Sequence, residues 1–429
     1  MGGFMSHKAK VLIFAISFAI LLYGASAAFF AKEAYRELAI FIDAIKKISD
    51  EYVEVPDMDK VHTGAMQGLF DALDPYSTFL TREQLDEFEK RNASGFAGVG
   101  IFVSRPSSER SSERNDVFYV VSVQAQGAAD KANIRPGDYL LSVNGEEVSN
   151  MSLFEVNNLL QGVPGTSVKL TVFRDTKTKP QDIELTFQEP PPGQVSSRIL
   201  DGNIGYLRIA SLNDAFVEQA KINLKTLISA GTDKILLDLR NCVDGDPAHG
   251  AEVANFFLKE GVIYYSQDRN GEKVNVVTAS PEKYLTDLPL ALLHNRSTAG
   301  AAEIIAGALK DHNRARLIGE KTFGAGSSQK TIKLKSGAAL ILSTAKYCTP
   351  NGSIIQAETA RKSGIEPDFL SPDTEKRQDL AVELYFDYEE DDDDKYRKIQ
   401  EKIYQIQLDK AIEVLSDEEN PAELLKKAA

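Results

Sequence analysis

Apolar positions along this chain follow two rhythms. Between residues 38 and 48, Leu38, Phe41, Ile42, Ile45 and Ile48 recur at helical intervals, which predicts an amphipathic helix within a largely helical stretch over 32–91. Asp74-Pro75 marks a turn in it, and a short helix is predicted over 82–90. From about residue 95 the pattern shortens to that of strands, predicted over 99–103, 117–123, 139–143 and 168–173, with helices over 128–132 and 153–160. Pro190-Pro191-Pro192 reads as a linker. Beyond it, apolar runs at 204–209 and 235–239 bracket an amphipathic helix over 214–230, and further strands are predicted at 289–294, 315–319 and 338–343. That order predicts a βαβ core with crossover helices. A charged, mainly helical tail closes the chain, and no internal repeat is present.

The amino terminus has a different character. Lys8 and Lys10 precede an uncharged apolar stretch over 11–31, long enough to cross a bilayer. The basic flank puts that end in the cytoplasm and the rest of the chain outside. The expectation is a retained single-pass anchor in the inner membrane with an exported (periplasmic or extracellular) domain. Ala25-Ser26-Ala27 carries the alternative, a signal peptide cleaved to give a secreted protein. The expected segments are 1–31 (anchor or signal), 32–94 (helical arm), 95–190, 191–370 and 371–429.

Composition adds limits. The 429 residues allow two or three domains, and a net charge of −14 argues against a nucleic-acid partner. Part of the acidity is one run over 389–394, read as a solvated tail. Two cysteines, Cys242 and Cys348, are too few for a disulfide framework, and no Cys or His pair has metal-ligand spacing. No cofactor or metal is expected.

Within 95–190 the pieces Gly127-Ala128-Ala129, Ile134-Arg135-Pro136-Gly137-Asp138, Ser142-Val143-Asn144-Gly145 and Pro164-Gly165-Thr166 resemble a PDZ domain. Pro136-Gly137-Asp138 suits a tight turn before a strand, and Asn144-Gly145 a hairpin closed at positive φ. The resemblance implies peptide capture on a sheet edge, with a carboxylate loop of backbone N–H groups around Phe96, Gly98, Val99, Gly100 and Ile101. Gly98 and Gly100 would let that loop approach a ligand closely, or would only serve a turn.

The strip 295–329 reads NRSTAGAAEIIAGALKDHNRARLIGEKTFGAGSSQ. It resembles the C-terminal processing (tail-specific) peptidases, which work by a serine–lysine dyad on a ClpP/crotonase-like α/β core. Glu303-Ile304, Ala306-Gly307-Ala308-Leu309 and Asp311 fix the register at one end; Gly319-Glu320, Thr322-Phe323-Gly324 and Gly326 fix it at the other. The family's nucleophilic serine then falls on Gly300, at the opening of a helix. Its general-base lysine falls on Ala325, and its orienting glutamine on Gln329.

Such a dyad needs a hydroxyl and a neutral amine within hydrogen-bond reach, facing oxyanion donors. Gly300 offers no hydroxyl and Ala325 no amine. In the family a strand such as 235–239 runs into R-x-N-P-G-G, whose first glycine donates to the oxyanion; this chain has Arg240-Asn241-Cys242-Val243-Asp244-Gly245, so Asp244 stands at that position. Three parts of one machine have changed in the same direction.

Alternative nucleophiles are Ser297, Thr298 and Cys242. Ser297 and Thr298 also suit capping of the following helix. Cys242 with His249 makes a conceivable hydrolase, against a plain reading as a small buried residue. An exported site permits a Cys242–Cys348 disulfide, since both segments approach the family's site.

The expected function is that of an inactive relative of these peptidases. It would hold protein C-termini or unfolded segments of exported proteins in its PDZ groove, or act as scaffold or regulator of an active relative. It is expected to be a homo-oligomer. The alternative is an active serine-type endopeptidase acting near the C-termini of exported proteins with relocated residues. A third reading makes the arm and tail assembly elements only.

Overall fold

The computed structural model describes residues 38–93, 97–105, 117–149, 151–174, 179–191, 193–357, 362–372 and 393–416. The expected anchor, Phe96 and most of the acidic run lie outside them. Among the described residues no helix is long and apolar enough to cross a membrane.

The chain divides into two units, Met1–Leu69 and Phe70–Ala429. The first holds helix α1 (38–51) and most of α2 (Met58–Asp71). On α1 the expected apolar positions Leu38, Phe41, Ile42 and Ile48 form part of the helix and stand exposed.

The second unit opens with β1 (Thr78–Leu80) and α3 (Arg82–Ala93). A β-rich module follows: β2 (Ala97–Gly98), β3 (Ile101–Ser104), β4 (Phe118–Val123), α4 (Ala128–Lys131), β5 (Tyr139–Val143), β6 (Glu146–Glu147), α5 (Leu153–Leu159), β7 (Gln161–Gly162), β8 (Ser167–Phe173) and β9 (Gln181–Thr186). Its main sheet runs β3-β4-β5-β8-β9, which leaves β3 on an edge. Val103, Phe118, Leu140, Val156 and Leu170 fill its core. Asn144 and Gly145 take φ +52° and +84° at the tight β5–β6 turn, as their sequence suggests. Of the predicted strand over 99–103 only 101–103 is strand, as part of β3, and Val99 and Gly100 lie between it and β2. Gly100 at φ +80° breaks the predicted strand, and a side chain there would press on Gln124.

The α/β core contains β10 (Val195–Leu200), β11 (Ile204–Ile209), α6 (Asp214–Ser229), β12 (Lys234–Asp238), α7 (Pro247–Asn255), β13 (Val262–Asp268), β14 (Lys273–Thr278), β15 (Leu290–His294), α8 (Ala301–Asp311), β16 (Arg316–Gly319), β17 (Ser327–Lys333), β18 (Ala339–Cys348) and β19 (Phe369–Leu370), and α9 (Asp393–Ser416) packs on it. One sheet has the order β10-β11-β12-β15-β16-β19, parallel from β11 onward. The middles of β12 and β15, 235–237 and 290–293, are apolar without alternation because both faces are covered. Ile235, Leu237, Leu290 and Leu292 face α6, α7 and α8, while Leu236, Ala291 and Leu293 face Leu408, Ala411 and Leu415 of α9. A second sheet, β1-β18-β13-β14 with β17 also on β18, lies beside it.

Two close approaches seat α8, one at its first residue and one in its second half. A side chain at Gly250 of α7 would strike the Ala301 carbonyl at 2.3 Å, and one at Gly307 would strike Thr349 at 2.6 Å. Both helices therefore press their backbones into the core, with the residue before α8 at the surface of that contact.

Candidate functional site

Gly300 is the N-cap of α8, at φ +61° and ψ −118°. Neither Ser297 nor Thr298 caps the helix. The cap interaction runs the other way: Glu303, in the first turn, accepts the Gly300 N–H on Oε2 at 3.0 Å. The same oxygen accepts the Ala325 N–H at 2.8 Å. Oε1 accepts the Gly324 N–H at 2.7 Å and the Thr322 hydroxyl at 2.5 Å. One fully buried carboxyl thus joins the two positions that the resemblance gives to serine and lysine. Burial pushes Glu303 up to about 7, against the pull of its four donors.

Each residue of Thr322-Phe323-Gly324 has a separate task here. Thr322 bonds Glu303 and accepts the Ile365 N–H at 2.7 Å. Phe323 meets Phe102 of β3 edge-to-face, with ring centroids 6.0 Å apart. Gly324, at φ +95°, passes where a side chain would collide with Ser363 at 2.5 Å.

The loop after β12 lies against Gly300. The Ala299 N–H donates to the Cys242 carbonyl at 2.9 Å, and a Cβ built on Gly300 would meet only the Val243 carbonyl, at 3.9 Å. The Asp244 carboxylate is taken up by the Ser211 hydroxyl at 2.5 Å and the Leu212 N–H at 2.8 Å. Although the residue as a whole is exposed, this inward turn withdraws the carboxylate from water and raises its pKa, while its own N–H and those partners favour the charged form.

Each alternative nucleophile is committed elsewhere. The buried Ser297 hydroxyl donates to the Val121 carbonyl of β4 at 2.6 Å. The fully buried Thr298 hydroxyl donates to the Leu239 carbonyl at 2.9 Å and accepts the Asn295 N–H at 3.0 Å. Cys242 is fully buried, which holds its thiol well above the usual range, with Asp244 adding to the shift. The His249 ring accepts the Asp246 N–H at 3.0 Å and lies 3.1 Å from Asp214. Cys242 and Cys348 are both buried free thiols, so the permitted disulfide is absent. Gln329 is exposed and donates to Ser327 at 2.7 Å and Ser343 at 3.4 Å.

In the β-rich module, the expected carboxylate loop is only partly free. The Val99 N–H donates to the Leu160 carbonyl at 3.3 Å, and the Val99 carbonyl accepts the Ala129 N–H at 3.1 Å. Gly98 and Gly100 offer their carbonyls to Gln188 and Gln124. Ile101 begins β3, which is hydrogen-bonded on one side only, to β4.

Sequence reasoning did not find Glu303 as the center of the site; it served only to fix register. An acid in the first turn, amid alanines and isoleucines, was the available signal. Tyr76 was also missed. Its phenol shares a hydrogen bond with Ser104, and burial, with Tyr119 and Glu303 nearby, holds its pKa high.

The fold and the strip define a peptidase-type domain carrying a PDZ module, and this chain belongs to the C-terminal processing peptidases of family S41. The model for Peptidase family S41 matches residues 203–371 and that for the PDZ domain residues 119–174. A carboxy-terminal-processing protease of Bartonella bacilliformis is 32% identical over 343 residues, 79% of this chain and 76% of that protein. Carboxy-terminal processing protease CtpA of Bacillus subtilis is 32% identical over 76% of this chain, and a probable CtpA-like serine protease of Staphylococcus aureus 31% identical over 79%. The chain spans 66% and 65% of those two proteins. Among solved structures, a photosystem II D1 C-terminal processing protease matches with a TM-score of 0.62 at 26% identity, covering 77% of this chain and 92% of that one.

Proposed function

We propose that this protein is a catalytically inactive member of its family, exported and anchored by residues 11–31, that holds the C-termini of exported proteins in its PDZ module. One observation carries the reading. The residues at the serine and lysine positions, Gly300 and Ala325, meet across Glu303 with no side chain beyond a methyl group between them. Attack on a peptide carbonyl requires a nucleophile and a proton acceptor at such a place. Ser297, Thr298 and Cys242, the nearest substitutes, are buried and without a paired base in their hydrogen bonds. Loss of a catalytic unit typically lowers turnover by up to on the order of 10⁶.

Binding rests on different elements. β3 is an edge strand with α5 beside it, the arrangement that accepts an added peptide strand. Relatives named as carboxy-terminal processing proteases support the expectation that the bound segments are carboxyl ends of proteins. An active relative is the natural partner for a scaffold of this kind.

The test is a peptide array of free-carboxylate and amidated C-termini presented to the purified chain. The reading expects binding to free carboxylates that amidation abolishes. Absence of binding to every peptide would reject the peptide-holding role.

A further inference from the structure

Helix α9 reaches two places that the sequence does not connect. Near its start, the Arg397 guanidinium donates to the Asn133 side chain at 2.8 Å, and the Tyr396 ring lies 4.2 Å below the Arg135 guanidinium. Asn133 and Arg135 form the turn between α4 and β5 of the PDZ module; Asn133 sits at φ +58° and Arg135 is buried. Further along, Leu408, Ala411 and Leu415 seal the outer face of the parallel sheet.

Tyr404, between these ends, uses three parts of itself. Its ring lies 4.6 Å from the Arg240 guanidinium, and its carbonyl accepts from that guanidinium at 2.9 Å. Its hydroxyl accepts from the Asn241 side-chain amide. Gln407, one turn on, accepts from Arg240 at 3.0 Å, and Asp238 holds the other edge of the guanidinium. Arg240 and Asn241 begin the loop that carries Asp244.

From Asn241 the contacts run back to the PDZ module. Asn241 stands at φ +63°, and its side chain accepts from Asn295 at 2.8 Å while its N–H donates to Asn295 at 3.1 Å. Asn295 in turn accepts the Ser297 N–H at 3.2 Å, and the Ser297 hydroxyl bonds the Val121 carbonyl of β4. The path closes on itself: PDZ turn, α9, Asn241, Asn295, Ser297, PDZ strand.

We propose that α9 is a strap that fixes the PDZ module and the loop 240–245 in one relationship, with Tyr404 as the positioning residue for the loop. A helix packed only for its apolar face would need the contacts of Leu408, Ala411 and Leu415 but neither the Tyr404 hydroxyl nor the bond to Asn133. A closed ring of directional bonds restrains more than the same bonds separately, because opening one loosens its neighbours. Any ligand that turns the PDZ module would therefore disturb the loop beside Gly300 as well. The proposal holds whether or not the chain cuts protein.

Hydrogen exchange on the full chain tests it, with Tyr404→Phe, Tyr404→Ala and Arg397→Ala compared with the parent. Tyr404→Phe keeps the ring and removes only the hydroxyl, so it remains informative if Tyr404→Ala fails to fold. The strap predicts that each variant speeds exchange by about tenfold in peptides covering 240–245 and 295–300 and also in those covering 133–138. Peptides from β11 and β15 should keep the parent's rates, which separates a strap from general loss of stability. If Arg397→Ala affects only 133–138 and Tyr404→Phe only 240–245, the two contacts are independent and the proposal fails. Unchanged exchange in all three variants overturns it as well.

Discussion

The backbone N–H groups of Gly300 and Ala325 converge on one oxygen, Oε2 of Glu303, at 3.0 and 2.8 Å. Two positions 25 residues apart in the chain are thus held as a pair by an acid that belongs to neither. In the register that the resemblance gives, these are the serine and lysine positions, and neither carries a hydroxyl or an amine.

Glu303 should be a visible stability element. Glu303→Gln replaces one acceptor with a donor that faces N–H groups, which costs about 1–3 kcal/mol. The pH dependence gives a second signature. The folded pKa is raised to about 7 from a carboxyl range near 4.5. The native state therefore binds the extra proton, and the stability it brings is present below about 4.5 and lost as pH rises through about 7. The loss is on the order of 3 kcal/mol. Denaturant titrations across pH should show this fall in the parent and a flatter curve in the glutamine variant.

His294 acts in the opposite sense. Its ring is fully buried at the end of β15, and neither ring nitrogen has a hydrogen-bond partner among the described residues. Burial lowers its pKa from 6.5 to about 4, with Lys310 assisting and the Glu320 backbone opposing part of the shift. Its contribution is present above about 6.5 and lost as pH falls through about 4, because the unfolded chain takes up the proton first. Replacing an unpartnered buried ring with an apolar side chain of similar size removes that penalty. His294→Leu should match or exceed the parent's melting temperature at pH 7 and exceed it by more at pH 5.

Both thiols should be silent in the native protein. Cys242 and Cys348 are buried and free, and burial raises the pKa of each. A thiol reagent at neutral pH should label neither within minutes, and two per chain after denaturation without reductant. Fewer than two in denaturant would contradict the free pair.

Adding a side chain at Gly300 should carry a backbone cost. There is room for it, since an added Cβ meets only Val243 at 3.9 Å, but φ +61° is a region that side chains avoid. Gly300→Ser should lower stability by about 1–3 kcal/mol. A melting temperature equal to the parent's would show that the backbone relaxes there without strain.

The parallel sheet was legible because its strands carry continuous apolar runs bounded by turn residues, and 204–209 was read to the residue. The strand and helix segments of the PDZ module were close, and the error at 99–103 came from a glycine whose φ the sequence does not show. α7, β13 and β14 were not read. β14 alternates poorly and lies half in solvent, and α7 is short and built around Gly250. The seat of α9 was also hidden, since its few apolar positions point to a sheet face that the sequence pattern does not name. Around the site, motif register singled out Gly300 and Ala325, whose N–H groups the structure brings to one carboxyl. The hydrogen-bond partners of the Ser297 and Thr298 hydroxyls, the carbonyls of Val121 in β4 and of Leu239 after β12, lie far away in sequence and were not visible.

Proteolysis decides the central claim most directly. The purified chain and a variant carrying Gly300→Ser and Ala325→Lys are incubated with unfolded casein, and fragments are followed over time. The parent is predicted to leave casein intact through repeated purification. Cleavage that co-purifies with the parent and disappears in Ser297→Ala, Thr298→Ala or Cys242→Ala would contradict it and assign the chemistry to that residue.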